Sequence, residues 1–127
     1  MTMDGTSGNR PLSVVFLNDH PMKITFVRPN MYPRRSRDAM QPLCIAILKS
    51  LTPPDVDTAF YDERIEEIPF DEETDLVAMT VETYTARRSF QIADEFRQRG
   101  VPVVMGGYHP TFLPEECLQF ANSVVLG

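Results

Sequence analysis

The residues with the clearest chemical potential lie in the stretch Val103-Val104-Met105-Gly106-Gly107-Tyr108-His109-Pro110-Thr111. A short apolar run breaks on two glycines, and an aromatic, a histidine and a proline follow at once. Bare backbone at such a place serves one of two ends. It makes a strand-to-helix turn that needs positive φ, or it lets a ligand come close to main-chain amides. His109 invites a metal-ligand reading, yet a lone histidine more often hydrogen-bonds within a loop. Thr80 and Thr83 put hydroxyls after another apolar run. Both are also ordinary β-formers, and Thr83 suits a helix cap. Arg34, Arg35 and Arg37 form a basic cluster that reads as a solvated or interface loop.

The elements that must carry these residues alternate along the chain. Residues 24–28 are a short β-rich run ended by Pro29. Residues 43–51 place Leu43, Ile47 and Leu51 at helical spacing before Thr52-Pro53-Pro54 stops the helix. Residues 56–61 return to β character, and 63–73 form an acidic connection or short helix whose Asp71-Glu72-Glu73 run reads as solvated surface. Residues 76–81 are a central strand. Residues 86–99 align Ala86, Phe90, Ala93 and Phe96 on one stripe, and Gly100 sits where a C-terminal cap glycine belongs. Residues 101–105 and 123–126 complete five strands, with Pro114-Glu115-Glu116 opening a helix between them. Such alternation predicts an α/β fold: a flavodoxin-like or Rossmann-like open parallel five-stranded sheet, order 2-1-3-4-5, with helices on both faces. Residues 1–21 are polar and breaker-rich and read as an N-terminal extension, partly disordered, unless Val14 to Leu17 add an edge strand. The domain proper is 22–127. Because no helix follows the last strand, the chain reads as a fragment of a longer protein.

Composition narrows the function classes. At 127 residues, 43% hydrophobic and 24% charged, the chain is globular rather than disordered. A net charge of −6 argues against a nucleic-acid partner. No apolar stretch is long enough to span a membrane, and no secretory signal opens the chain, so a cytoplasmic location is expected. Cys44 and Cys117 fit neither a disulfide framework nor a metal cluster and read as buried free thiols.

In an open α/β sheet the ligand site lies beyond the carboxyl ends of the strands, where strand order reverses. Here that point is flanked by the loop from Arg28 to Pro33, the loop from Thr80 to Thr85 and the stretch from Gly106 to Thr111. Several tenants of the fold fail on chemistry. The loop after strand one has no glycine to bring amides to a pyrophosphate, as a dinucleotide site needs. The hydroxyl and glycine residues of a flavin mononucleotide loop are missing from it too. There is no acidic pair for a phospho-acceptor site, no P-loop and no serine or cysteine in a nucleophile elbow. No complete active site is visible, so whether the chain is itself an enzyme stays open.

The stretch from Asp75 to Glu116 resembles the amino-terminal cobalamin-binding domain of cobalamin-dependent radical SAM enzymes. Three features carry the resemblance: a strand ending in Met79-Thr80-Val81, the helix after it, and a strand opening onto Gly-Gly-x-His-x-Thr with Pro-Glu-Glu a few residues on. The opening Met22-Lys23-Ile24-Thr25-Phe26-Val27-Arg28-Pro29-Asn30 fits the same pattern, so the similarity covers about residues 23–127.

The resemblance implies that a corrinoid lies across the carboxyl edge of the sheet and that its nucleotide tail runs into a cleft among strands one, three and four. It implies hydroxyl contacts from Thr80 and Thr83, with Val81 and Glu82 in the same loop. It implies close backbone approach at Gly106 and Gly107. Asn30, Met31, Tyr32, Tyr108 and His109 would lie near the corrin face or its amide-bearing rim. A tail with one phosphate and a bulky apolar base suits bare amides and small hydroxyl residues. The DxHxxG motif that supplies a lower cobalt ligand in cobalamin mutases is absent, since Asp19-His20-Pro21 has the wrong spacing and no glycine. Base-off cobalamin without a protein histidine is therefore implied, and no metal ligand is assigned. A CxxxCxxC motif is also absent, so S-adenosylmethionine and a [4Fe–4S] cluster belong to an expected downstream radical SAM domain, the other implied partner. The activity implied for the parent protein is methyl transfer. The alternative is a structural or interaction domain of the same enzyme type that has lost cobalamin.

Overall fold

The computed structural model describes residues 20–31, 33–36 and 39–127. The elements are β1 (Lys23–Arg28), α1 (Leu43–Leu51), β2 (Asp57–Asp62), β3 (Leu76–Thr80), α2 (Ala86–Gln98), β4 (Val103–Gly106), α3 (Tyr108–Phe112), α4 (Pro114–Leu118) and β5 (Ser123–Val124). A single 3₁₀ turn, Thr83–Thr85, leads into α2. The five strands pair in parallel in the order β2-β1-β3-β4-β5, the flavodoxin-like arrangement, with helices on both faces. Apart from His20 and Pro21, the N-terminal extension lies outside the described residues, as does the alternative strand from Val14 to Leu17.

Period-two alternation divides the sheet into two unequal faces. Val27, Val77, Met79, Val103 and Met105 point to one side and join Ile92, Ala93 and Phe96 of α2, with Cys117 of α4, in the main core. Phe96 and Met105 are fully buried there. Phe90 of α2 stacks on Phe120 with centroids 4.2 Å apart, tying α2 to the turn before β5. α2 ends as its sequence predicts: Gly100 has φ of +80°, its N–H bonds the Arg97 carbonyl, and the Val101 N–H reaches back to Phe96.

The opposite face carries Phe26, Arg28, Ala78, Thr80, Val104 and Gly106 by the same alternation. Its cover is thin. Phe26 and Ile45 of α1 are buried but lie outside the main cluster. The expected stripe of Leu43, Ile47 and Leu51 is exposed, Leu43 and Leu51 each at 75%, and Ile45 alone in α1 is buried. A 3.6-residue spacing locates a helix but not a partner, and among the described residues of α1 only Ile45 is buried.

Residues 63–73 take the connection alternative, as turns and bends. Three further departures from the sequence reading have local causes. Glu72 is not solvated surface but accepts hydrogen bonds from Lys23 Nζ and the Tyr61 hydroxyl, which pins the β2–β3 connection to the sheet. Cys44 is exposed, whereas Cys117 is buried as expected. Residues 108–112 are helical, because Pro110 falls in the first turn of α3, where no main-chain donor is required.

The Lys23 ammonium, and then the Tyr61 hydroxyl, hold the Glu72 carboxyl below its ordinary value, and the same contact pushes the Tyr61 hydroxyl up to about 12. A carboxylate depressed on folding stabilises the protein above its unfolded pKa, and that contribution is lost as pH falls through the folded value. Glu72→Gln should therefore lower the urea midpoint at about pH 7 and by a smaller margin at about pH 3, below the ordinary glutamate value of about 4.3. Equal differences at both pH values would contradict this assignment.

Candidate functional site

The carboxyl ends of β1, β3 and β4 meet at the point where strand order reverses. Register makes the meeting specific. Arg28 pairs with Asp62 of β2, and Thr80 pairs with Gly106 of β4. Because Val27 stands beside Met79, Arg28 is level with Thr80. Asp62, Arg28, Thr80 and Gly106 thus form one row across the sheet, on the thinly covered face and on adjacent strands about 4.8 Å apart.

The two glycines have different reasons to be glycine. Gly107 has φ of +106°, and a Cβ there would lie 2.9 Å from the Val81 carbonyl oxygen. What comes close to Gly107 is the chain's own backbone. Gly106 has ordinary φ, and a Cβ there would meet Val125 Cβ at 3.7 Å, an ordinary contact. Internal packing does not demand a bare position at 106.

The loops after β3 and β4 are locked together by main-chain bonds. Val81 N–H donates to the Gly106 carbonyl at 2.8 Å, and His109 N–H donates to the Val81 carbonyl at 3.1 Å. The Thr111 hydroxyl donates to the Gly107 carbonyl at 2.8 Å and accepts from Gly127 N–H. The His109 ring is 5% exposed and spends both nitrogens inside the chain. Nδ1 lies 3.3 Å from the Thr83 hydroxyl and Nε2 2.8 Å from Glu116 Oε2. His109 is a fastener between the β3 loop and α4, with no nitrogen left for a metal. Among the described residues no group of three histidine, cysteine, aspartate or glutamate side chains could hold one.

The expected site residues accordingly fall into separate places. Thr80, Val81, Thr83, Gly106, Gly107 and His109 are brought together. Val81 contributes no free group, since its side chain is fully buried in the main core and its N–H and carbonyl are both bonded. The Glu82 N–H is held by the Thr85 hydroxyl at 3.1 Å, so Thr85, not Thr83, secures the start of the turn. Tyr108 is exposed on the first turn of α3. Tyr32 lies outside the described residues. Asn30 and Met31 sit apart, on the rim of a cavity of about 780 Å³ that runs between α2 and the β2–β3 connection. Asn30 N–H is anchored there by Glu63, which also takes a two-pronged contact from Arg88. The cavity touches neither Thr80 nor Gly106, and Glu63 and Arg88 in its lining neutralise each other. The Arg28–Thr80–Gly106 row is therefore the better-built candidate.

Arg28 escaped the sequence reading. Its Nε is buried and has no hydrogen-bond partner. Asp62, the acid beside it, is already claimed by Arg64, whose Nε and Nη2 contact both carboxylate oxygens at 2.6 to 3.2 Å. The available signal was an arginine ending an apolar strand at the switch point. As a donor set, an unpaired guanidinium nitrogen, a hydroxyl and a side-chain-free carbon suit an anionic, bulky ligand segment, and a corrinoid's nucleotide tail is one.

Comparison with known proteins gives two relatives. Over 86 residues, 67% of this chain and 19% of the relative, the chain is 42% identical to bacteriochlorophyllide d C-8(2)-methyltransferase of Chlorobaculum tepidum. Over 88 residues, 68% of this chain and 19% of the relative, it is 35% identical to bacteriochlorophyllide d C-12(1)-methyltransferase of the same organism. The chain thus spans about a fifth of the length of the curated relatives it matches. No protein-family model and no solved structure matches it.

The two glycines can be told apart by stability alone. Gly107→Ala should cost about 1–3 kcal/mol, from positive φ and the Val81 contact, and Gly106→Ala within about 0.5 kcal/mol. Equal denaturation midpoints for the two variants would refute the division.

Proposed function

We propose that this chain is a cobalamin-binding module of a methyltransferase acting on a tetrapyrrole, and that it holds the cofactor base-off with no histidine of its own on cobalt. The observation that carries the proposal is Gly106, a bare position that internal packing leaves unexplained, beside the Thr80 hydroxyl at the switch point. The similarity to two methyltransferases supports the class of reaction, and their printed substrates support the tetrapyrrole. Cobalamin, when bound, supplies a cobalt centre able to carry a methyl group.

The chain's own part is to bind and orient. Thr80 and the backbone at Gly106 receive the nucleotide tail, and Gly107 holds the loop that frames it. Glu82 and Tyr108 border the corrin. Thr83 and His109 act from behind, by fixing the loops. S-adenosylmethionine and a [4Fe–4S] cluster belong, on this proposal, to other parts of a longer protein.

Full-length protein mixed with hydroxocobalamin should keep a corrinoid spectrum through gel filtration. Gly106→Val should weaken retention ~10-fold or more with unchanged circular dichroism. If wild type retains no corrinoid the proposal fails, and normal retention by the variant would sink the placement of the tail.

One observation favours a second reading, a cofactor-free interaction domain: the apolar face of α1 is exposed at Leu43, Ile47 and Leu51. Under it, Leu43→Asp with Leu51→Asp would abolish assembly or activity of a full-length enzyme that works without cobalamin.

A further inference from the structure

We infer that Arg28 reads the phosphodiester of the ligand's nucleotide tail and so makes the site selective for complete cobalamin over corrinoids that lack the tail. The inference rests on the cobalamin proposal and adds the residue that sets specificity within that site.

Three observations meet at Arg28. It ends β1, level with Thr80 and hence with Gly106, on the thinly covered face of the sheet. Its Nε is withdrawn from solvent and finds no acceptor among the described residues. A buried donor without an acceptor is destabilising, so such a group persists where an acceptor arrives with a ligand.

The third observation concerns charge. The neighbouring carboxylate in the row, Asp62, is 3% exposed and accepts three contacts from the Arg64 side chain and one from the Arg64 N–H at 3.0 Å. Arg64 also donates to the Met40 carbonyl, which fixes it in that position. Asp62 is thus neutralised, and Arg28 makes no ion pair among the described residues. An unpaired guanidinium between a spent carboxylate and a hydroxyl is matched by a singly charged oxyanion with an apolar body. A phosphodiester joined to a nucleoside base has that chemistry. Arginine's fork can donate to two phosphate oxygens at once, and the bare Gly106 leaves lateral room for the bulky part.

The test compares two corrinoids that share the corrin ring. Cobalamin carries the phosphate, ribose and base, whereas cobinamide lacks all three. Full-length wild type should bind hydroxocobalamin at least ~10-fold more tightly than cobinamide, with the difference shrinking as salt rises. Arg28→Met should lose ~10-fold for cobalamin, keep its affinity for cobinamide and lose the salt dependence. Arg28→Lys, which keeps the charge and guards against a folding defect in the first variant, should retain part of the preference.

Each other outcome is decisive. Equal weakening toward both corrinoids by folded Arg28→Met would show a structural role only and overturn the inference, as would an undiminished preference. Wild type that binds both corrinoids equally overturns the inference alone. Wild type that binds neither overturns the cobalamin proposal with it.

Discussion

The loop after β4 can rest on the end of β3 only because Gly107 has no side chain. With a Cβ placed there at 2.9 Å from the Val81 carbonyl, the loop would have to lift away. Two main-chain bonds, Val81 to Gly106 and His109 to Val81, would open with it. Everything else at this edge hangs from that approach. His109 can reach Thr83 and Glu116 together because α3 starts immediately after the glycine. Thr111, one turn on, closes back on the Gly107 carbonyl. The strand ends at the switch point are held as one rigid unit before any ligand is considered.

Rigidity on one side contrasts with openness on the other. The face that packs α2 is a dry core in which Val77, Met79, Val103 and Met105 are essentially inaccessible. The opposite face offers Arg28, Thr80 and Gly106 at its carboxyl end, and among the described residues its strand positions other than Phe26 are only part-buried. On the cobalamin proposal, Gly107 would supply the fixed floor and Gly106 the lateral space. Odd-numbered positions of β3 and β4 build the core and even-numbered ones meet the cleft, a direct consequence of the period of two.

Much of this was legible because the governing signals are local. The strand and helix alternation gave the sheet order, and Gly100 gave the end of α2. Leu43–Leu51 was recognisable as a helix from spacing and its proline stop. What failed required knowledge of partners. The uncovered Leu43 and Leu51 look like core residues in sequence, since spacing carries no information about what lies opposite. Glu72 looks like part of a solvated acidic run, and only the fold brings Lys23 and Tyr61 to it. His109 reads in sequence as a residue that hydrogen-bonds within the chain, and it does so with Thr83 and Glu116, from a short helix over Tyr108–Phe112 that the Gly-Gly and Pro110 signals conceal. In sequence Arg28 is an ordinary strand-ending arginine, and its meaning lies in Asp62 being taken by Arg64.

Adjacent glycines in a sequence invite a single explanation, and here the geometry separates them. Gly107 answers to an internal constraint, positive φ and a backbone contact, and would be needed in a ligand-free domain of the same shape. Gly106 answers to none, lies in regular strand geometry and faces the same cleft as Thr80. A position that the fold does not require to be bare, beside a charged nitrogen without a partner among the described residues, is what the proposed ligand site would account for. Were the edge purely structural, a β-branched residue at 106 would be the better strand former and Arg28 would be paired. Their coincidence in one row of the sheet favours a site built for a ligand over a scaffold that has shed one.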